Sequence, residues 1–177
     1  MLCPGFVFGG LLVHRGLPDP AQTMTKSSRI NRSWALFFAR GVLGLIFFMA
    51  GVWKVFQLGP IEHARKFFID PYAETFLPLW SLWAVGAIIP FVELAAGALV
   101  ILGLRVREAM IALGTVLVVV TFGHLLKEPL YQFHTHVIPR LGLLLFILIL
   151  PSEDDRFSLD HLWRSRKAVA AHADPSN

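Results

Sequence analysis

The sequence is poor in charge and has almost no cysteine. Asp, Glu, Lys and Arg together make up 16 % of its 177 residues, where an ordinary soluble domain carries about 25 %. That argues against a soluble globular fold, and a hydrophobic share of 55 % excludes a disordered chain. The one cysteine, Cys3, excludes an intramolecular disulfide, a thiol redox pair and a Cys-rich metal site. There is no internal repeat, low-complexity tract, phosphate-binding glycine loop or nucleic-acid motif, and no Ser/His/Asp arrangement with supporting context. Apolar residues run continuously instead of alternating, which removes membrane strands.

Long hydrophobic runs are what the sequence does have. A helix needs roughly 20 residues to cross the hydrocarbon core. Four segments approach that length: Trp34 to Val55, Trp80 to Leu104, about Glu108 to Leu126, and about His134 to Leu150, the shortest. The expected fold is an all-α four-helix transmembrane bundle. It divides into an N-terminal arm over 1–33, a membrane domain over 34–150 and a C-terminal tail over 151–177. Residues 1–23 read either as an upstream extension ahead of Met24 or as a loosely ordered tail. In the long connection over 58–79, Ile61, Ala64, Phe67 and Phe68 share a helical spacing between charged residues. This predicts a short amphipathic interfacial helix, ended by Asp70-Pro71 because a residue before proline avoids helical geometry.

The 16 Lys and Arg residues set orientation. Arg15, Lys26, Arg29 and Arg32 precede the first span, Arg105 and Arg107 form the middle turn, and Arg156, Arg164, Arg166 and Lys167 follow the last. Positive-inside logic puts both termini and the middle turn in the cytoplasm of a bacterial inner membrane. In the tail, Leu159, Leu162, Trp163 and Val169 fit a surface helix whose basic residues could touch anionic headgroups.

Several charges interrupt spans, where they are expensive. Glu93 is 11 residues from Leu104, and Arg140 is 10 residues from Leu150. At 1.5 Å per residue both lie roughly 15 Å deep, so Glu93–Arg140 is the preferred ion pair. Arg40 is shallower and long enough to share the carboxylate. This network is either a proton-handling or ligand-binding centre, or a structural pair that fixes helix register. Arg40, Gly44, Phe47, Gly51 and Lys54 share one face of the first span, and Gly86, Pro90, Glu93 and Gly97 share one face of the second. Small residues so placed permit close helix approach. Pro90 also frees the carbonyl of Gly86, which a water or side chain must satisfy.

Lys54, His124, His134 and His136 fall toward the outward side, with Tyr131 in the loop between the last two spans. Three readings stay open: a metal or haem site, a quinone or quinol headgroup site, and solvated interfacial histidines. Metal ligation lacks support from spacing, because His134 and His136 would point about 160° apart on a helix.

Three motifs then carry a family resemblance. The first span reads Arg40-Gly-Val-Leu-Gly-Leu-Ile-Phe-Phe-Met-Ala-Gly-Val-Trp-Lys54. The second reads Pro90-Phe-Val-Glu93-Leu-Ala-Ala-Gly97 and closes on Leu102-Gly103-Leu104 before a basic turn. The tail has Arg156-Phe157-Ser158-Leu159-Asp160. Together, over roughly Arg32 to Trp163, these resemble the DoxX family of small four-helix membrane proteins. Ser152-Glu-Asp-Asp155 departs from that family's pattern, in which a Gly-Pro-Gly turn is common. Members are described as subunits of quinol oxidases or thiosulfate:quinone oxidoreductases, or as membrane partners in redox and peptide-modification systems. The resemblance implies an accessory subunit of a quinone-linked redox system, for which a quinone is the candidate cofactor, and transfers no catalytic set. The alternative is a structural or assembly subunit of a larger membrane complex, docked through the outer amphipathic helix and exposed tryptophans. A small transporter fits less well, since four helices without a repeat offer little for alternating access.

Overall fold

The computed structural model describes residues 20–128, 133–151 and 154–173. Cys3, the 1–19 part of the N-terminal extension and Tyr131 lie outside the described residues, as does the side chain of His134.

The described chain is helical, with no strand. Helix α1 spans Pro20–Val52 and continues into a π-helical segment, Trp53–Leu58. Gly59, at φ +86°, turns the chain into α2 (Pro60–Ala64). A second π-helical segment, Arg65–Ile69, leads into the single turn α3 (Asp70–Tyr72). The bundle continues with α4 (Leu79–Leu102), α5 (Val106–Lys127) and α6 (Phe133–Ile149), and α7 (Leu159–Ala173) follows as the tail helix. Among the described residues, three helices are long and apolar enough to span: Ser27–Leu58 within α1 and its extension, α4, and α5; α6 is shorter but apolar. This is a helical membrane bundle, and the protein is an integral membrane protein.

Close approach of α1 and α4 is the centre of the fold. A Cβ on Gly51 would lie 2.5 Å from the Leu94 backbone nitrogen, and one on Gly97 would lie 2.6 Å from the Phe48 nitrogen. The two helices therefore touch backbone to backbone, as the small residues on the two faces predict. Leu43, Phe47, Ala96, Val100, Met110 and Leu113 close the core around that seam.

Two boundaries differ from the sequence reading. Helix α1 begins at Pro20, 14 residues before Trp34, so the described part of the predicted arm, 20–33, forms the first turns of the same helix. Asp70-Pro71 does not end the connection helix. After the π-helical widening, Pro71 falls in the first turn of α3, where no backbone N–H is needed. The connection also packs inward. Ala64 is fully buried against Gly86 and His63 is buried beside it, whereas Ile61 faces outward.

Candidate functional site

Among the described residues, two polar clusters interrupt the apolar bundle, one at the end of α4 and one near the middle of that helix. The first centres on Arg40, buried to 1 % exposure. Its Nη2 donates to Asp155 Oδ1 at 3.1 Å and lies 3.4 Å from the Phe157 carbonyl. Its Nε sits 3.0 Å from Asp155 Oδ2 as an ion contact without hydrogen-bond alignment. Nη1 donates to the Val100 carbonyl at 3.2 Å. That carbonyl belongs to the last turn of α4, where it also accepts from Gly103 N–H at 3.2 Å and the helix dipole favours a cation.

The chain around Arg40 is shaped for this contact. Helix α4 ends with Gly103 at φ +68°, and Leu104 N–H bonds to the Leu99 carbonyl at 2.9 Å, a left-handed cap that suits glycine. The Asp160 N–H then donates to the Gly103 carbonyl at 3.1 Å. Ser158 caps α7 by accepting from His161 N–H at 3.1 Å. Ser33 donates to the Asp154 carbonyl, and the Trp34 and Phe157 rings meet at 4.7 Å. The Ser-Leu-Asp motif is thus a docking element that brings Asp155 onto Arg40. Burial pushes the Asp155 carboxyl upward from its ordinary range, and the charge of Arg40 opposes that shift.

Deeper in the bundle, toward its other end, Lys54 Nζ lies 2.5 Å from Glu93 Oε2. Glu93 is buried, while the Lys54 side chain keeps 20 % exposure. Lys54 also borders a cavity of about 620 Å³. Its walls come from the two π-helical segments (Lys54, Phe67, Phe68), from Tyr72, and from α4 and α5, including His124. π-Helical turns occur often at functional sites because they re-aim side chains out of α-helical register. His124 Nδ1 pairs with the Val120 carbonyl at 2.7 Å. The Tyr72 hydroxyl approaches α5 at Gly123, where an added Cβ would stand 3.4 Å away. Burial raises the Tyr72 pKa, so the phenol stays protonated and able to donate.

The carbonyl freed by Pro90 finds its partner here. His63 Nδ1 donates to the Gly86 oxygen at 2.8 Å. Burial lowers the His63 pKa; the bond to Gly86 works against this and the nearby Lys54 charge adds to it. Its ring rests on Phe67 and Phe68, with centroids 5.2 and 5.7 Å away, and both rings line the cavity.

The expected Glu93–Arg140–Arg40 network is therefore divided. Glu93 pairs with Lys54, and Arg40 pairs with Asp155. Arg140 acts on Glu93 through its charge without an ion contact. The cause lies in the reference used for depth. Arg40, not Trp34, stands level with the end of α4, so every α1 residue sits lower than a count from Trp34 places it. The antiparallel register of Gly44 on Ile101 and Gly51 on Leu94 then carries Lys54 to Glu93. Of the predicted ligand-site residues, the structure brings Lys54 and His124 to one cavity, while His136 is exposed on α6 away from its walls. His63, Tyr72 and Asp155 were not anticipated. The orphaned Gly86 carbonyl was the one signal for His63, and Asp155 lies within the stretch that departs from the family pattern.

A DoxX family model matches residues 35–125, just over half of the chain. The chain belongs to the DoxX family. No curated protein and no solved structure matches it. The DoxX match spans the later part of α1, the connection, α4 and almost all of α5, and so contains Lys54, Glu93, His63 and all of the cavity walls but Lys127 and Glu128. It stops short of Asp155 and α7, the tail elements that hold Arg40.

Proposed function

We propose that this DoxX protein is an integral-membrane subunit of a quinone-linked redox system, and that the cavity beside Lys54 receives the quinone headgroup. The observation that carries this reading is the convergence of Lys54 and His124, from separate helices, on one largely apolar cavity. A quinone needs flat apolar walls and one or two donors at its carbonyl oxygens. Phe67, Phe68 and Phe122 supply walls, and the Lys54 ammonium and Tyr72 phenol supply donors. Pockets of several hundred Å³, apolar with a few convergent polar groups, are the usual form of small-molecule sites. Glu93 behind Lys54 would hold the ammonium in place. In this reading both termini face the cytoplasm and the cavity opens toward the outer leaflet of a bacterial inner membrane, as the distribution of arginines favours.

The test is to purify the full chain in mild detergent and titrate a short-chain benzoquinone, following tryptophan quenching, with extraction and quantification of endogenous quinone alongside. Saturable binding weakened about tenfold or more by Lys54→Met supports the proposal. No saturable binding and no co-purified quinone would overturn it. A second reading, a structural subunit without chemistry of its own, draws on the exposed Trp80, Phe76 and Ile61. A stoichiometric membrane partner isolated together with an empty cavity would favour that reading.

A further inference from the structure

A second cavity, of about 540 Å³, opens at the opposite end of the bundle, where α5 begins, α6 ends and α7 starts. Its polar wall carries Arg105, Arg107 and Arg164. Its apolar lip is the end of α6, including Leu148 and Ile149, and Ile149 is 78 % exposed. We infer that this cavity binds the phosphodiester of an anionic lipid such as phosphatidylglycerol, with an acyl chain laid along the exposed end of α6.

Charge argues for a phosphodiester. Three acidic residues also line the cavity, Glu108, Asp155 and Asp160. The Asp155 carboxylate is already held by Arg40 through both oxygens. Three guanidiniums therefore face two remaining carboxylates, and the single net positive charge matches a monoanionic phosphodiester. Guanidinium groups also suit phosphate oxygens in geometry.

Position argues for a lipid. A free anion would use the arginines and leave the lip bare, whereas a lipid covers both. Helix α7 leaves the same end with Leu159, Leu162 and Trp163 exposed and Arg164, Arg166 and Lys167 around them. Lys167 Nζ lies 5.1 Å from the Trp163 ring centroid. An amphipathic basic helix of this kind lies at headgroup level, which sets the cavity mouth at the depth of the phosphates.

Arg105 adds a local signature. It holds φ +47°, the one described non-glycine residue with positive φ. A side chain is disfavoured there and glycine is not. Arg105→Gly therefore removes the guanidinium at a position whose φ glycine adopts without strain.

The experiment uses the purified full chain in a zwitterionic detergent. Dioctanoyl phosphatidylglycerol, dioctanoyl phosphatidylcholine and inorganic phosphate are titrated while bound lipid is counted by native mass spectrometry and the melting temperature is followed. We expect phosphatidylglycerol to bind saturably and to raise the melting temperature, with phosphatidylcholine much weaker. Arg105→Gly and Arg164→Ala should each weaken phosphatidylglycerol about tenfold, while Arg156→Ala, an exposed arginine outside the cavity, should not. Weak competition by inorganic phosphate identifies the lipid as the source of the anion; equal competition keeps the anion site and removes the lipid. Equal binding of the two lipids, unchanged binding in Arg105→Gly and Arg164→Ala, or an equal loss in Arg156→Ala would overturn the site.

Discussion

The two ends of the bundle solve one problem in opposite ways. Each sets a buried carboxylate against a cation from α1 or its π-helical extension. At the Arg40 end the guanidinium is enclosed, with Asp155, Val100 and Phe157 all touching it. At the Lys54 end the ammonium meets a single carboxylate and keeps one side toward a cavity. Arginine offers a rigid fork of donors that several acceptors can saturate, whereas lysine is a flexible point charge that can change partners. The first arrangement is suited to holding three chain segments together. The second leaves a donor available to a ligand.

That contrast can be broken by mutation. The largest effect should come from Arg40→Met, which strands Asp155 in a buried site. We expect a loss of about 3–5 kcal/mol, read as unfolding of the purified protein in detergent, with most of it regained in Arg40→Met combined with Asp155→Leu. If the double variant is no more stable than the single one, the ion pair is not what Arg40 provides. A smaller loss, about 1–2 kcal/mol, is expected for Lys54→Met, because that pair lies between the exposed and the fully buried cases. A double-mutant cycle with Glu93→Gln measures the coupling. An Arg40-sized loss at Lys54 would mean that the two ends are alike.

The smallest effect concerns pH. The His63 pKa is lowered in the folded protein, so the unfolded chain binds the proton first as pH falls. Its contribution to stability is complete above the ordinary imidazole value, about 6.5, and drains away as pH drops from there through the lowered folded value. Asn at position 63 can keep a donor near the Nδ1 position without titrating in this range. His63→Asn should therefore flatten the fall in melting temperature between neutral and mildly acidic pH; an unchanged slope would assign the effect to other groups.

Much of this was legible from residue order. Continuous apolar runs show the spans, the glycine spacing on two helices shows their seam, and Pro90 shows that the Gly86 carbonyl needs a donor. What was not legible is relative depth. Helix α1 runs past Trp34 into the predicted arm, so an aromatic residue is a poor marker of where a helix meets the end of its neighbour. For that reason the structure pairs Glu93 with Lys54 where the count of depth favoured Arg140. The tail was opaque for another reason. Asp155 acquires its role only through a left-handed turn at Gly103 and a capped helix at Ser158, contacts between segments more than 50 positions apart.

The Arg40–Asp155 pair spans 115 positions of sequence. A ribosome feeding this chain into a membrane delivers the cation in the first hydrophobic segment and its counter-ion only after the last. During synthesis α1 must therefore keep its guanidinium in water or at the headgroups, as long basic side chains do near helix ends. The guanidinium is drawn in when the final segment emerges. The pair cannot tie α1 to the tail before that moment: a chain cut short before Asp155 has the sequence of every span but not the counter-ion of Arg40.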